Sequence, residues 1–318
     1  MPAPCAREAT RSSALRWRGA GEIAFLGSLR FTGGDDAPEA AASDEAGPRR
    51  LAAGDRIDAT LRSGAGPDAI TAAEAFLGAA GRACVVAHGA WVEALAPAKA
   101  ATPAEAARTA LSALAERDDA GMIVLIGDSA GQARDLALEI AARREDIFIL
   151  IEARGGDAPS LALAGENAAT MRFPPGYADA PRDLGLLVAS LEAGDFSEEK
   201  PFLERTARSG AGADPLRGVS KRERDAMRLW RRKEGLRRSL DRGTRWALLE
   251  ANRPFLRRRI EREVTAFLRR MEDLGLLDRA AGFSVECSRA GGAAESGRIE
   301  LDVKARLAPL EGRRPVKA

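Results

Sequence analysis

A chain of 318 residues is long enough to bury a substantial core and to hold two or more domains. Its 45% hydrophobic and 30% charged residues are those of a folded globular protein, and a net charge of +2 excludes a strongly basic or acidic chain. Three scattered cysteines (Cys5, Cys84, Cys287) and one histidine (His88) fit neither a disulfide framework nor a zinc site, so no metal and no cofactor is expected.

No apolar run is long enough to span a bilayer, and the first residues from Met1 to Glu8 hold no apolar signal core. No membrane insertion is expected, and the default site of assembly is the cytoplasm.

In chain order, residues 1–70 form an irregular N-terminal region. Within it Glu22 to Phe31 reads as one or two strands, and Thr32 to Gly54, rich in Gly, Ala, Asp and Pro, as a loop or mobile insert. From residue 71 the pattern becomes regular. A helix is expected over Thr71–Ala80 and a buried strand over Arg82–Ala87, with Cys84 as a small core residue.

Thr102-Pro103 opens the next helix, Thr as N-cap and Pro at the first position, running to about Arg117. Strand Met122–Ile126, helix Gln132–Arg144, strand Ile147–Ile151 and helix Pro181–Ala193 follow. Continuous apolar strands alternating with helices predict an α/β core over 71–214, a mainly parallel sheet covered by helices. An irregular stretch through Pro215 ends it.

The remainder, 215–318, reads as a smaller α+β domain. Its expected elements are helix Lys221–Asp241, strand Arg245–Leu249, helix Pro254–Leu274, strand Gly282–Cys287 and strand Arg298–Leu307. In the long helix Leu256, Ile260, Val264, Phe267, Met271 and Leu274 recur at spacings of three and four and make one apolar stripe. The last strand alternates Ile299, Leu301, Val303, Ala305 and Leu307 inward against charged residues outward.

Between Arg217 and Arg270 basic residues predominate, clustered as Lys221-Arg222, Arg231-Arg232-Lys233, Arg237-Arg238 and Arg257-Arg258-Arg259. Two readings stand: solvated helix faces, or a basic face for an acidic partner. No aromatic platform and no helix-turn-helix, zinc-finger or RNA-binding signature accompanies the run, so direct nucleic-acid binding is not expected.

Gly127-Asp128-Ser129-Ala130-Gly131 matches G-x-S-x-G between a strand and a helix, the setting of a nucleophile elbow, and its wording resembles the hormone-sensitive-lipase-like esterases. An esterase acting through Ser129 would need a histidine after the nucleophile, and none follows His88. The competing reading is a tight turn, with Gly127 and Gly131 permitting the backbone and Asp128 or Ser129 capping the helix. Neither dinucleotide nor P-loop glycine patterns occur.

Two C-terminal patterns carry a stronger resemblance. Arg242-Gly243-Thr244-Arg245-Trp246 leads to Glu250-Ala251-Asn252. After the long helix come Phe283-Ser284-Val285-Glu286-Cys287 and Gly297-Arg298-Ile299-Glu300-Leu301-Asp302-Val303, closing on Ala308-Pro309. In this order they resemble the C-terminal domain of contractile tail sheath proteins, found in contractile-tailed phages and related injection systems. Phe76 to Val86 and Asp214 to Val219 are similar to further stretches of that family.

The resemblance implies a structural subunit, not an enzyme, assembling as hexameric rings or a helical sleeve around an inner tube and contracting to drive the tube through a target envelope. Its implied partners are other copies of the chain or a paralogous sheath subunit, the inner tube protein, and baseplate or tail terminator proteins. Its implied location is a virion tail or injection particle. Trp246 and Phe283 are expected in the core, with Glu250 and Asn252 capping the turn into the next helix.

The chain departs from the family pattern at both ends. It lacks the N-terminal arm pattern, and it ends Leu310-Glu-Gly-Arg-Arg-Pro-Val-Lys-Ala318 in place of a further apolar strand. A reduced member, or an accessory subunit unable to polymerise alone, is the alternative.

Overall fold

The computed structural model describes residues 15, 21–29, 47–52, 54, 55, 57, 59–80, 82–95, 102–155, 160–165, 167–193, 220–289 and 299–309. The insert expected over Thr32–Gly54 lies largely outside them, as do Cys5, the stretch 194–219 and the residues from Leu310 on. The chain divides into two compact units, one running from Ala20 to Arg231, the other from Arg232 onward together with Leu15.

In the first unit the order is β1 (Glu22–Leu26), β2 (Arg49–Leu51), α1 (Ala59–Ala65), α2 (Pro67–Ala80), β3 (Cys84–Val86), α3 (Gly89–Leu95) and α4 (Pro103–Glu116). Then come β4 (Ala120–Leu125), α5 (Asp128–Gln132), α6 (Arg134–Arg143), β5 (Phe148–Arg154), β6 (Ser160–Leu163), β7 (Ala168–Phe173) and α7 (Ala180–Ala193).

The seven strands make one sheet in the order β2-β3-β1-β4-β5-β7-β6. Its five inner strands are parallel, and each edge is closed by an antiparallel one, β2 on β3 and β6 on β7. From β1 the chain moves to β3 on one side and returns to β4 on the other. This is a doubly wound sheet, and its switch point lies between β1 and β4.

Strand periodicity builds a core on each face. Ile23, Phe25, Val86, Met122, Val124, Phe148, Leu150 and Met171 point to the face covered by α2 and α7. Their neighbours Ala24, Leu26, Val85, Ile123, Leu125, Ile149 and Ile151 point to the face covered by α3, α4 and α6. A strand buried on both faces must be apolar at every position, which is why these runs are legible in the sequence. Each large side chain so buried contributes about 1.5–3 kcal/mol.

The helix start at Thr102 is as expected: its Oγ1 accepts the Glu105 N–H at 3.2 Å and donates to Glu105 Oε2 at 3.0 Å, with Pro103 following. The helix expected over Gln132–Arg144 is α6, and a further short helix, α5, precedes it, the two meeting at Ala133 where φ is −112° and ψ is 9°.

The second unit takes up most of α8 (Lys221–Thr244), then α9 (Pro254–Asp273), β8 (Phe283–Arg289) and β9 (Ile299–Ala305). The first turns of α8 belong to the first unit. Met227 and Trp230 enter its core there, the Trp230 ring 5.1 Å from Phe148 and its Nε1–H donating to Glu145 O at 3.2 Å.

The strand expected over Arg245–Leu249 is a 3-10 helix. Bonds reaching back one helical turn explain the correction. Thr244 Oγ1 donates to Leu240 O at 2.8 Å and Arg245 pairs with Asp241 at 2.9 Å, so the chain keeps winding as it leaves α8 instead of extending. The apolar stripe of α9 is confirmed for Leu256, Ile260, Val264, Phe267 and Met271, all buried, while Leu274 lies beyond the helix end and is 40% exposed.

Candidate functional site

In a doubly wound sheet ligands bind beyond the carboxyl ends of the strands, at the switch point. Here that position holds the turn after β1 and the G-x-S-x-G turn after β4. Gly127 has φ +65°, and a Cβ on it would stand 2.9 Å from Asp68 Oδ2 and 3.2 Å from Ser28 Oγ. Its N–H donates to Glu152 Oε2 at 2.6 Å, and the Asp128 N–H donates to Ser28 Oγ at 3.3 Å. Arg154 joins the cluster from the end of β5, bonding Glu152 at 2.9 Å and Asp68 at 3.2 Å. Hydrogen bonds to Glu152 raise the Arg154 pKa above its ordinary value. The backbone donors that would hold a phosphate are thus bound by side chains of the chain itself.

Ser129 is fully buried. Its Oγ lies 2.9 Å from Leu26 O and 2.8 Å from Ile126 O, both acceptors for its hydroxyl. His88 packs elsewhere, its Nδ1 accepting the Trp91 N–H at 3.3 Å and its Nε2 lying 3.3 Å from Gly47 O. The motif is therefore a turn, and the esterase reading finds no nucleophile. The expected cap needs correction: neither Asp128 nor Ser129 caps α5, because Glu152 and Ser28 supply the acceptors from outside the helix. Gly131 sits inside α5 with open space around it, so the turn does not depend on it.

Cys84 is buried in β3, where burial and then nearby Glu22 push its thiol up to about 12. It stays protonated, and no group of three His, Cys, Asp or Glu residues suited to a metal occurs among the described residues. No helix among them is long and apolar enough to cross a membrane.

The C-terminal patterns converge on a two-stranded antiparallel ribbon, β8 on β9, in register from Phe283↔Ala305 to Arg289↔Ile299. The pairing continues past β9, with the Asp278 N–H donating to Arg306 O at 2.9 Å and the Ala308 N–H to Leu276 O at 2.8 Å. Helix α9 supports β8 by one bond to its outer edge, where the Cys287 N–H donates to Glu261 Oε1 at 3.0 Å. No described strand lies beyond either outer edge. A two-stranded ribbon is marginal alone and its open edges are templates for further strands.

The expected inward face is correct in phase but incompletely covered. Ile299, Leu301, Val303, Ala305 and Leu307 are half-buried, as are Phe283 and Val285. Phe283 and Trp246 are therefore not core residues; the Trp246 ring lies under the Arg259 guanidinium at 4.2 Å. Glu250 does not cap α9, whose N-cap is Arg253 without a side-chain bond; Glu250 pairs with Arg259 at 3.4 Å, and Asn252 is not the cap either.

The basic segment is partly internal, which neither sequence reading anticipated. Arg231, Arg232 and Arg238 are buried. Desolvation pulls the Arg231 pKa down to about 9, with nearby Arg82 acting in the same direction. Glu234, itself buried, accepts Arg238 Nε at 2.7 Å and a two-pronged Arg237 at 2.9 and 2.7 Å. The signal available in sequence was the Glu234–Arg238 spacing of four. Arg258, Arg262 and Arg269 are exposed on the outer face of α9, where both readings stay open.

Gly243 of the R-G-T pattern has a steric purpose. A Cβ there would fall 1.6 Å from Cδ2 and 2.9 Å from Cγ of Leu15, which is buried against it. Gly243→Ala is expected to expel Leu15 and lower stability by about 1–3 kcal/mol, an overpacking cost. Combining it with Leu15→Ala should cost less than the sum of the two. Chemical denaturation of the four proteins checks this, and strict additivity would show that the two residues do not meet.

No protein-family model matches the chain, and no curated protein does. Among solved structures it is similar to the anti-feeding prophage helical sheath in its contracted state, with 13% identity, 93% of each chain covered and a TM-score of 0.52. It is also similar to the PVC sheath complex of an extracellular contractile injection system, contracted, with 11% identity, 97% of this chain and 94% of that one covered, and a TM-score of 0.47. At 13% identity the first likeness is one of fold, and it runs through both units.

Proposed function

We propose that this chain is a structural subunit of a contractile sheath, assembling with copies of itself into rings or a helical sleeve around an inner tube. The observation that carries this reading is the fold likeness to a helical sheath subunit over 93% of both chains. Two features support it. The crevice where a doubly wound sheet would take a ligand is filled from within, and among the described residues no strand lies beyond either edge of the C-terminal ribbon, to which an extended arm of a neighbouring copy can add one.

In this reading the α/β unit of Ala20–Arg231, which takes in β1 and so begins well before the expected boundary at residue 71, packs the ring, and the C-terminal unit joins neighbours and faces the tube. The work of contraction is a switch between two packings of rigid subunits, and it requires no cofactor. The particle is a virion tail or injection device, assembled in the cytoplasm and ending on baseplate or terminator proteins.

Negative-stain electron microscopy of the purified chain, alone and with a tube-like protein encoded beside it, tests the proposal. Rings, sleeves or stacked discs are the expected result. A monodisperse monomer under both conditions would overturn self-assembly.

A further inference from the structure

The second unit carries one surface that the sheath reading leaves unexplained. Leu248 is 82% exposed, Leu249 92% and Phe255 68%, an unusual concentration of large apolar side chains in one short stretch. Arg259 binds this turn to α9 through Trp246 and Glu250, so the two leucines are held beside the first turns of the helix. Phe255, Arg258 and Arg262, spaced three and four apart, share the face of α9 opposite its buried stripe, and both arginines are exposed, as is Arg253. The patch is apolar at its centre and basic at its margin.

Charge decides what can cover it. A second copy of the same patch would set Arg253, Arg258 and Arg262 against their own counterparts, so a two-fold contact is disfavoured. The occupant has to combine large apolar groups with carboxylates. One stretch of the sequence does so: Asp195-Phe196-Ser197-Glu198-Glu199-Lys200-Pro201-Phe202-Leu203-Glu204, with four carboxylates against one lysine. The other acidic stretch, Asp35 to Glu45, has only alanine, proline and serine between its carboxylates and offers nothing to cover leucine.

We propose that residues 195–204 of one copy dock on the Leu248-Leu249-Phe255 patch of a neighbouring copy, apolar side chains over the leucines and carboxylates against the arginines. The inference rests on the sheath reading only in supposing that copies meet. A contact between two different surfaces of identical chains closes into rings or extends as open helices.

Full-length chains carrying Leu249→Cys are mixed with isotopically heavy chains carrying Phe202→Cys, both with Cys5→Ser, under mild oxidation. Cys84 and Cys287 are buried and stay silent. The mixed disulfide dimer is expected several-fold above that formed with Glu139→Cys, an exposed control on α6. It should be lost with Arg258→Glu and Arg262→Glu and regained when the heavy chain carries Glu198→Arg and Glu199→Arg.

A yield no higher than the control overturns the proposal, as does a cross-link that closes only within a single chain bearing both cysteines. Microscopy keeps the two readings apart. Sleeves without the cross-link sink this contact alone, and the cross-link without sleeves sinks the sheath while the contact stands.

Discussion

Gly185→Ala is expected to unfold at a lower temperature than the natural chain, reversing the usual sign of a glycine-to-alanine change inside a helix. Helix propensity alone favours alanine by about 1 kcal/mol. Here α7 crosses α2 so closely that a Cβ on Gly185 would stand 2.2 Å from the carbonyl oxygen of Ala72 and 3.0 Å from Cβ of Ala75. A backbone oxygen inside a helix cannot step aside as a side chain can. One helix must move off the sheet, and overpacking of this kind costs about 1–3 kcal/mol. For a unit of this size each kcal/mol lowers Tm by about 2–4 °C. Circular dichroism on heating checks the sign, and a raised Tm would mean that α2 and α7 do not approach so closely.

The second large effect is expected at Glu234. This buried carboxylate holds Arg238, also buried, at 2.7 Å and binds Arg237 through both of its oxygens. Removing one member of a buried ion pair costs about 3–5 kcal/mol, because the surviving charge has already lost its water. Glu234→Ala should therefore destabilise the second unit far more than Glu250→Ala, which breaks the partly exposed pair with Arg259 and costs at most about 1 kcal/mol. Glu234→Gln, which keeps the volume and one acceptor, should fall between them. Urea unfolding ranks the three, and equal losses for Glu234→Ala and Glu250→Ala would refute the buried pair.

What could be read from the sequence follows from how locally each feature is determined. Met122 to Leu125 and Phe148 to Ile151 are buried on both faces, so every position is apolar and the strands show themselves. The stripe of α9 is legible for the same reason at a different period. Edge strands β2 and β6 are short, and β7 mixes Ala, Thr and Arg with its apolar residues, so no run marks them.

Arg245–Leu249 misleads because Trp and a pair of leucines after Thr read as a strand, whereas bonds to the preceding helical turn decide the conformation. Hydropathy also places Arg231, Arg232 and Arg238 in solvent, where ion pairs and packing instead carry them inside. The filling of the crevice is invisible locally, since Gly127 and Glu152 meet only once β4 and β5 are side by side, and Asp68 joins them only when the first turn of α2 packs there.

That internal closure has a consequence for how the molecule can be governed. A doubly wound protein whose crevice takes up a nucleotide changes shape as the supply of that nucleotide changes, so its state follows the chemistry of the solution. In this chain Glu152 and Ser28 already accept the hydrogen bonds at Gly127 and Asp128. At these two donors that route of control is shut, and in the proposed sheath the orders come instead from neighbouring copies that press on the surface.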